Sequence, residues 1–302
     1  MSRPRLEVPA ARQGPGHMPQ RLLEALDLVV AQRAAGALPG DRRAAGLGAG
    51  TELAQLRPYQ VGDDVRQIDA AATARTGQPH VRLHVPERTL TTWIVLDVSP
   101  SMAFGTANRL KVDVAEGAAI AVGHVATHRA GRVALMTFGG GHQRMMRPRG
   151  SRPGTVAVRR GARVGVAPDG AVDRRALAAA LGRLAKVARQ PGFVAVISDF
   201  RDQDEWLRPL GRLRARHSVL AVEVRDPREE TMPAVGRLAL IDPETGERVD
   251  IDTSHRAVRK RFAEIEAERR DRLTSDLRRL QVEQVTLSTD GDWLRELGRR
   301  LS

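Results

Sequence analysis

Cysteine is absent from the 302 residues. That excludes disulfides and thiolate metal sites, and it is compatible with a reducing compartment. Aromatic side chains are scarce, with one Tyr and three Trp, so a surface that stacks successive bases is not expected. No apolar run approaches the roughly 20 residues needed to cross a bilayer. The opening stretch MSRPRLEVPAARQGPG lacks the apolar core of a secretory signal. The expectation is a soluble, cytoplasmic protein with no membrane partner. Lysine is rare too: Lys111, Lys186 and Lys260 are the only three among 49 Lys and Arg residues. With so much Ala and Gly, the preference for Arg reads as the codon bias of a GC-rich genome. The formal charge of +13 therefore says less about partners than its size suggests. A basic surface attracts nucleic acid or acidic protein faces, but without stacking aromatics nucleic acid is not the expected partner.

What is present centres on Thr92 to Met102, TWIVLDVSPSM. Trp93, Ile94, Val95 and Leu96 form an apolar run, Asp97 interrupts it, and Val98 follows. Ser99 and Ser101 then stand at alternate positions. A buried strand holds a terminal carboxylate still, and the loop after it can turn two hydroxyls toward the same point. Three oxygens converging in this way suit a hard cation such as Mg²⁺, with Mn²⁺ as a substitute. The plain structural alternative is that Asp97 and the serines cap the next helix and satisfy loop amides.

Along the chain, residues 1–17 are rich in Pro, Gly and Arg and read as disordered. Met18 to Ala35 places Leu22, Leu23, Leu26, Val29 and Val30 on one helical face. The glycine-rich Gly46 to Gly50 follows no strand, so it reads as a turn and not as a phosphate cradle. Val61 to Asp63 reads as a turn and Ile68 to Arg75 as a short helix. The acids Asp63, Asp64 and Asp69 and the arginines Arg57, Arg66 and Arg75 are expected to pair and lock this segment onto the domain that follows; a docking face for a partner is the functional alternative. Pro79 to Arg88 alternates like a half-exposed strand. Beyond it, a helix from Asn108 to Arg129, a strand Arg132 to Phe138, a helix Asp173 to Arg189, a strand Phe193 to Ile197, a helix Asp204 to Arg216 and a strand Val219 to Val224 alternate. That alternation predicts a doubly wound α/β fold, its mostly parallel sheet covered on both faces. Gly139 to Gly165 reads as a loop-rich excursion, with His142 at the surface. Leu238 to Ile251 reads as an inserted hairpin around a Pro-Glu-Thr-Gly turn. A long helix His255 to Leu280, a short strand Val285 to Leu287 and a helix Trp293 to Leu301 close the chain. The organisation is thus 1–17, an N-terminal helix and charged buttress over 18–90, and the α/β domain over 91–302.

The stretch from Arg57, R-x-Y-x-x-G-D-D-x-R-x-I-D with Tyr59, Asp63, Asp64, Arg66 and Asp69, precedes an Ala-Arg pair ending at Arg75, then a strand and Asp-x-Ser-x-Ser-Met at Asp97 to Met102. Together these resemble domain-of-unknown-function family fifty-eight, over roughly Gly46 to the C-terminus. The family pattern commonly has Trp after the Ile-Asp pair; here the residue is Ala70. The resemblance implies a von Willebrand factor A-like, Rossmannoid fold with a metal-ion-dependent adhesion site (MIDAS), and work alongside a MoxR-type AAA+ ATPase. It implies Asp97, Ser99 and Ser101 as metal ligands and Asp199, after the next core strand, as a ligand acting through water. The Thr that A-type domains supply before the Leu177 to Leu181 helix is missing. Arg174 and Arg175 stand there, and Asp173 is the substitute ligand. An ion so held would accept an acidic side chain from a partner. No Cys nucleophile and no Ser-His spacing that would make a triad is evident, so a non-enzymatic adaptor is expected. A metal-dependent hydrolase or nuclease using Asp97 and Asp199 is the rival, and a metal-free basic scaffold, suggested by Arg174 and Arg175, is the third reading.

Overall fold

The computed structural model describes residues 52–85, 90–107, 109–128, 131–140, 143–163, 165–170, 175–202 and 204–301. The expected disordered 1–17, helix 18–35 and turn 46–50, together with His142, Asp173 and Arg174, lie outside the described residues. The chain divides into two units, one spanning Pro39–Thr89 and one containing Leu90–Ser302.

In the smaller unit, β1 (Glu52–Pro58) pairs antiparallel with β2 (His80–Val85), Leu56 facing Arg82. The connection carries a single 3-10 turn (Val65–Gln67) and α1 (Ala70–Thr76). The helix expected from Ile68 starts two residues later for a local reason. Ile68 stays extended in a bridge to Val81, and Asp69 caps the helix, its Oδ1 accepting from the Ala72 amide at 2.7 Å. Asp64 caps the preceding turn by accepting from the Arg66 amide at 3.0 Å. Two of the acids in this segment are paired locally. Arg57 grips Asp63 with two hydrogen bonds, 2.6 and 2.8 Å, and Arg82 donates to Asp69 at 2.5 Å. Both pairs close within the hairpin. Tyr59 contributes through its backbone, its amide donating to Pro79 O at 2.8 Å.

The larger unit is built on a six-stranded sheet. Its strands in chain order are β3 (Thr91–Asp97), β4 (Arg132–Phe138), β5 (Met145–Gly150), β6 (Phe193–Ser198), β7 (Ser218–Arg225) and, after the separate hairpin β8 (Arg237–Ile241) and β9 (Arg248–Asp252), β10 (Glu283–Ser288). Their spatial order is β10-β7-β6-β3-β4-β5, all parallel except the edge strand β5. Counting the six sheet strands alone, β3 is first and the order reads 6-5-4-1-2-3, a doubly wound layout. Alternate side chains of β3 feed two cores, as the two-residue period of a strand requires. Ile94 and Leu96 pack under α2 (Lys111–His128), while Trp93 and Val95 pack against α4 (Ala176–Val187) on the other face. Across β6, α5 (Leu207–Arg214) and α6 (Arg256–Arg279) add to the second core, and α7 (Trp293–Leu301) adds Trp293 and Leu297 to the first.

The excursion expected at Gly139 to Gly165 is instead β5 followed by α3 (Ser151–Ala162). Pro153 and two glycines hide the helix. Pro153 falls in the first turn, where a missing amide costs nothing. Gly161 is there for closeness: a Cβ at that position would strike the Leu135 side chain of β4. Among the described residues no helix is long and apolar enough to cross a membrane.

Candidate functional site

Parallel strands end together, so β3 and β6 bring their terminal acids to one rim of the sheet. Asp97 closes β3 and Asp199 follows β6, each 3% exposed. The loop after Asp97 folds back on it: the Ser99 amide donates to Asp97 Oδ1 at 2.9 Å. The next residues form a 3-10 turn (Pro100–Ala103). That turn brings the Ser99 and Ser101 hydroxyl oxygens to 3.0 Å from each other. From β6, the Ser198 hydroxyl donates to Asp97 Oδ2 at 2.5 Å and accepts from the Phe200 amide at 3.0 Å. Phe200 itself has φ of 52°, an uncommon state for a bulky residue that surrounding packing must enforce. Its ring is held edge-on against Trp206, centroids 5.5 Å apart. The site is also backed by Gly139, just beyond β4, at φ 78°. A Cβ there would lie 2.7 Å from Ser99 Cβ and 2.9 Å from Asp97 Oδ1.

A buried ammonium stands at the same rim. Lys111, the first residue of α2, is fully buried, and its Nζ donates to Asp199 Oδ2 at 2.7 Å and to Glu229 Oε1 at 2.6 Å. Arg201 continues the chain of charge with two hydrogen bonds to Glu266, at 3.1 and 3.0 Å, and lies 3.4 Å from Glu229. Arg269 donates to the same Glu266 at 3.1 Å. Nearby, Asp226 accepts from the Thr106 amide and hydroxyl at 2.7 and 2.5 Å and from the Thr289 hydroxyl at 2.6 Å, tying the loop beyond Ser101 to β7 and β10.

From the other side comes the tip of the β8–β9 hairpin. Glu244 Oε1 accepts from the Ser101 amide at 3.2 Å, and Pro243 O accepts from the Gly170 amide at 3.0 Å. Glu244 Oε2 is buried and has no hydrogen-bond partner.

These surroundings push the two strand-end acids apart. Burial raises Asp97 well above the ordinary carboxylate range, and the charge of Asp199 adds to it. Burial works on Asp199 too, but Lys111 and Arg201 outweigh it and hold Asp199 at about 2. Glu244 is also raised, first by burial, with Asp199 contributing. Lys111 is raised despite its burial, because Asp199 and Glu229 favour the ammonium.

The structure therefore gathers four of the sequence-derived candidates, Asp97, Ser99, Ser101 and Asp199. Asp173 falls outside the described residues, and Arg57 through Arg75 belong to the other unit. Sequence reasoning missed Lys111, Glu229, Ser198, Gly139 and Glu244 as parts of the site. Lys111 carried a faint signal, being one of three lysines in an arginine-rich chain. Glu244 carried none, since it reads as a hairpin turn residue.

The residues fit a hard divalent ion. No group of three or more His, Asp and Glu spaced for a metal occurs among the described residues; the converging donors are one carboxylate and two hydroxyls. That set leaves an ion short of negative charge, and neither Asp97 nor Glu244 is paired with a cation among the described residues. Asp199 is already matched by Lys111.

A family model described as "Protein of unknown function DUF58" matches residues 55–272. The chain belongs to the DUF58 family. Among its DUF58-like relatives is the uncharacterized protein Rv1480 of Mycobacterium tuberculosis (strain ATCC 25618 / H37Rv), 39% identical over 280 residues, which cover 92% of this chain and 87% of the relative. The uncharacterized protein MAV169 of Mycobacterium avium is 37% identical over 145 residues, covering 48% of this chain and 81% of that protein. Solved structures similar to it include the conserved hypothetical protein BatB from Bacteroides thetaiotaomicron, with TM-score 0.41 and 12% identity over 70% of this chain and 97% of that one. The von Willebrand factor type A protein from Catenulispora acidiphila has TM-score 0.40 and 13% identity over 72% and 43% of the two chains. The VWA domain of SpRpn10 has TM-score 0.35 and 16% identity over 69% and 93%. The DUF58 chain has the doubly wound α/β architecture that its strand order describes.

Proposed function

We propose that this DUF58 protein is a non-enzymatic adaptor that binds a protein partner through a Mg²⁺-dependent adhesion-type site. One observation carries the reading: Asp97, Ser99 and Ser101 converge at the carboxyl rim, with the serine oxygens 3.0 Å apart and Asp199 on the neighbouring strand end. Asp97, Ser99 and Ser101 hold the ion, and Asp199 acts from behind Lys111. Bound there, Mg²⁺ supplies an open coordination position for a carboxylate from the partner. Ser198 and the Ser99 amide fix the Asp97 carboxylate, and Gly139 leaves room for the loop to close on it. The partner that the family resemblance suggests is a MoxR-type AAA+ ATPase, with the adaptor serving assembly or remodelling of a client.

The hydrolase reading is weaker on chemical grounds. Asp199, one of its two acids, is held at about 2 by its cations and is a poor proton acceptor near neutrality. A metal-free scaffold is favoured by one observation, the Lys111 ammonium already seated on Asp199. Titration calorimetry with Mg²⁺ and with Mn²⁺, on wild type and Asp97→Ala, separates these readings. The adaptor reading expects heat from wild type alone, and capture of the ATPase that fails for Asp97→Ala. Cation-independent capture by both proteins would instead establish the scaffold.

A further inference from the structure

We propose that Glu244, at the tip of the β8–β9 hairpin, is the chain's own ligand to the cation at Asp97, Ser99 and Ser101, so that cation binding and docking of the hairpin are one event. This rests on the adhesion-type reading of the site and adds a residue from a separate element to it.

The hairpin is otherwise poorly held. It is a two-stranded ribbon outside the main sheet, and such ribbons are marginal alone. Leu240, Ile241 and Val249 are 37%, 53% and 50% exposed, so little apolar burial ties the ribbon down. At its base, Thr253 is buried and its hydroxyl donates to Gly236 O at 2.7 Å. At its tip, two contacts reach the site. Pro243 O accepts from Gly170, on the segment whose Ala167 amide donates to Val98 O at 2.8 Å, one residue past Asp97. Glu244 Oε1 accepts from the Ser101 amide. The turn is shaped to present that side chain, since Asp242 Oδ1 accepts from the Glu244 amide at 2.9 Å.

The remaining oxygen decides the matter. Glu244 Oε2 is buried without a partner, and a buried carboxylate oxygen without one is costly. Among the described residues, the two cations nearest the rim acids are committed elsewhere: Lys111 to Asp199 and Glu229, Arg201 to Glu229 and Glu266. Through its contact with the Ser101 amide, Glu244 reaches the loop that bears two convergent hydroxyls and follows a strand-end carboxylate, and together these oxygens are a hard-cation donor set. With Glu244 in the shell, a partner's carboxylate must either take the position left beside it or displace the hairpin tip.

The test uses the full chain and the metal alone, Mg²⁺ and Mn²⁺. Calorimetry is run on wild type, Glu244→Gln, Asp97→Ala and the control Glu247→Gln, which removes a charge from the same turn. Amide hydrogen exchange over residues 237–252 is followed with and without metal. The expected result is a loss of affinity of about tenfold or more in Glu244→Gln and no change in Glu247→Gln, with metal slowing hairpin exchange about tenfold in wild type but not in Glu244→Gln. Equal metal affinity in wild type and Glu244→Gln, with hairpin exchange insensitive to metal, overturns the role of Glu244 and leaves the Asp97 site intact. Absence of metal binding by wild type overturns both, and overturns them at Asp97.

Discussion

Asp97 and Asp199 make an instructive pair. They end neighbouring strands of one sheet, on the same rim, with the same 3% exposure. Burial alone would raise both. Yet Asp199 is held at about 2, while Asp97 is pushed well above its ordinary range. The difference is the neighbour and not the depth. Asp199 faces the Lys111 ammonium and the Arg201 guanidinium; Asp97 faces hydroxyls, an amide and Asp199 itself. One half of the rim is matched charge for charge, Asp199 by Lys111 and Arg201; at the other half Asp97 has no cationic partner among the described residues. The state of charge tells the two acids apart where burial does not, and the proposed cation site lies on the unmatched half.

The sharpest way to break that contrast is to empty the completed half. Lys111→Met fills similar volume but leaves Asp199 and Glu229 facing each other without their ammonium. Removing one partner of a buried ion pair costs about 3–5 kcal/mol, so the urea midpoint of Lys111→Met is expected to fall by that equivalent. The double variant Lys111→Met with Asp199→Asn is expected to recover part of the loss. A Lys111→Met protein as stable as wild type would mean that the network is already neutral.

How much of this rim was legible beforehand follows from the same contrast. The strand ending at Asp97, the strand from Phe193 and the inserted hairpin were readable because apolar period and turn chemistry are local. So were Ser99 and Ser101, which sit within two and four positions of Asp97 in the chain. Lys111, Glu229 and Glu244 were not, since they meet their partners at the rim through separations of 88 to 143 residues, and a charged residue by itself reads as solvated surface. The α3 helix was hidden by glycines whose purpose is close approach to β4, which a local reading takes for loop signals. In the N-terminal segment the pairing is short-range: Arg57 holds Asp63 and Arg82 holds Asp69, partners only 6 and 13 residues apart.

A smaller effect is expected from Gly139→Ala. Its positive φ and the Cβ contact with Ser99 and Asp97 Oδ1 cost about 1–3 kcal/mol together. The loss should fall on the cation-requiring half: metal affinity measured by calorimetry drops, while the Lys111 network, reported by the urea m-value and by a cooperative single transition, is kept. A Gly139→Ala protein that binds metal normally would show that the loop tolerates the displacement.

The smallest change in stability is expected at Asp97, though it is as deeply buried as Asp199. Asp97→Asn keeps the shape of the acid. Its carbonyl can still accept from the Ser99 amide, and its amide group can donate to Ser198 Oγ once that hydroxyl turns away. What disappears is a buried carboxylate that no cation among the described residues balances and that Asp199 repels. Removing such a charge relieves a desolvation cost and a repulsion while giving up hydrogen bonds that are partly replaced. In chelator-treated protein, Asp97→Asn is therefore expected to unfold within about 1 kcal/mol of wild type, or slightly later, while Asp199→Asn unfolds well before it because that change removes one of the two carboxylates that hold the buried Lys111. Added Mg²⁺ should separate wild type from Asp97→Asn, stabilising only the former by mass action. Equal destabilisation by the two Asp→Asn changes would show that depth, and not the neighbouring cation, governs both acids, and the division of the rim into a completed half and an open half would fall.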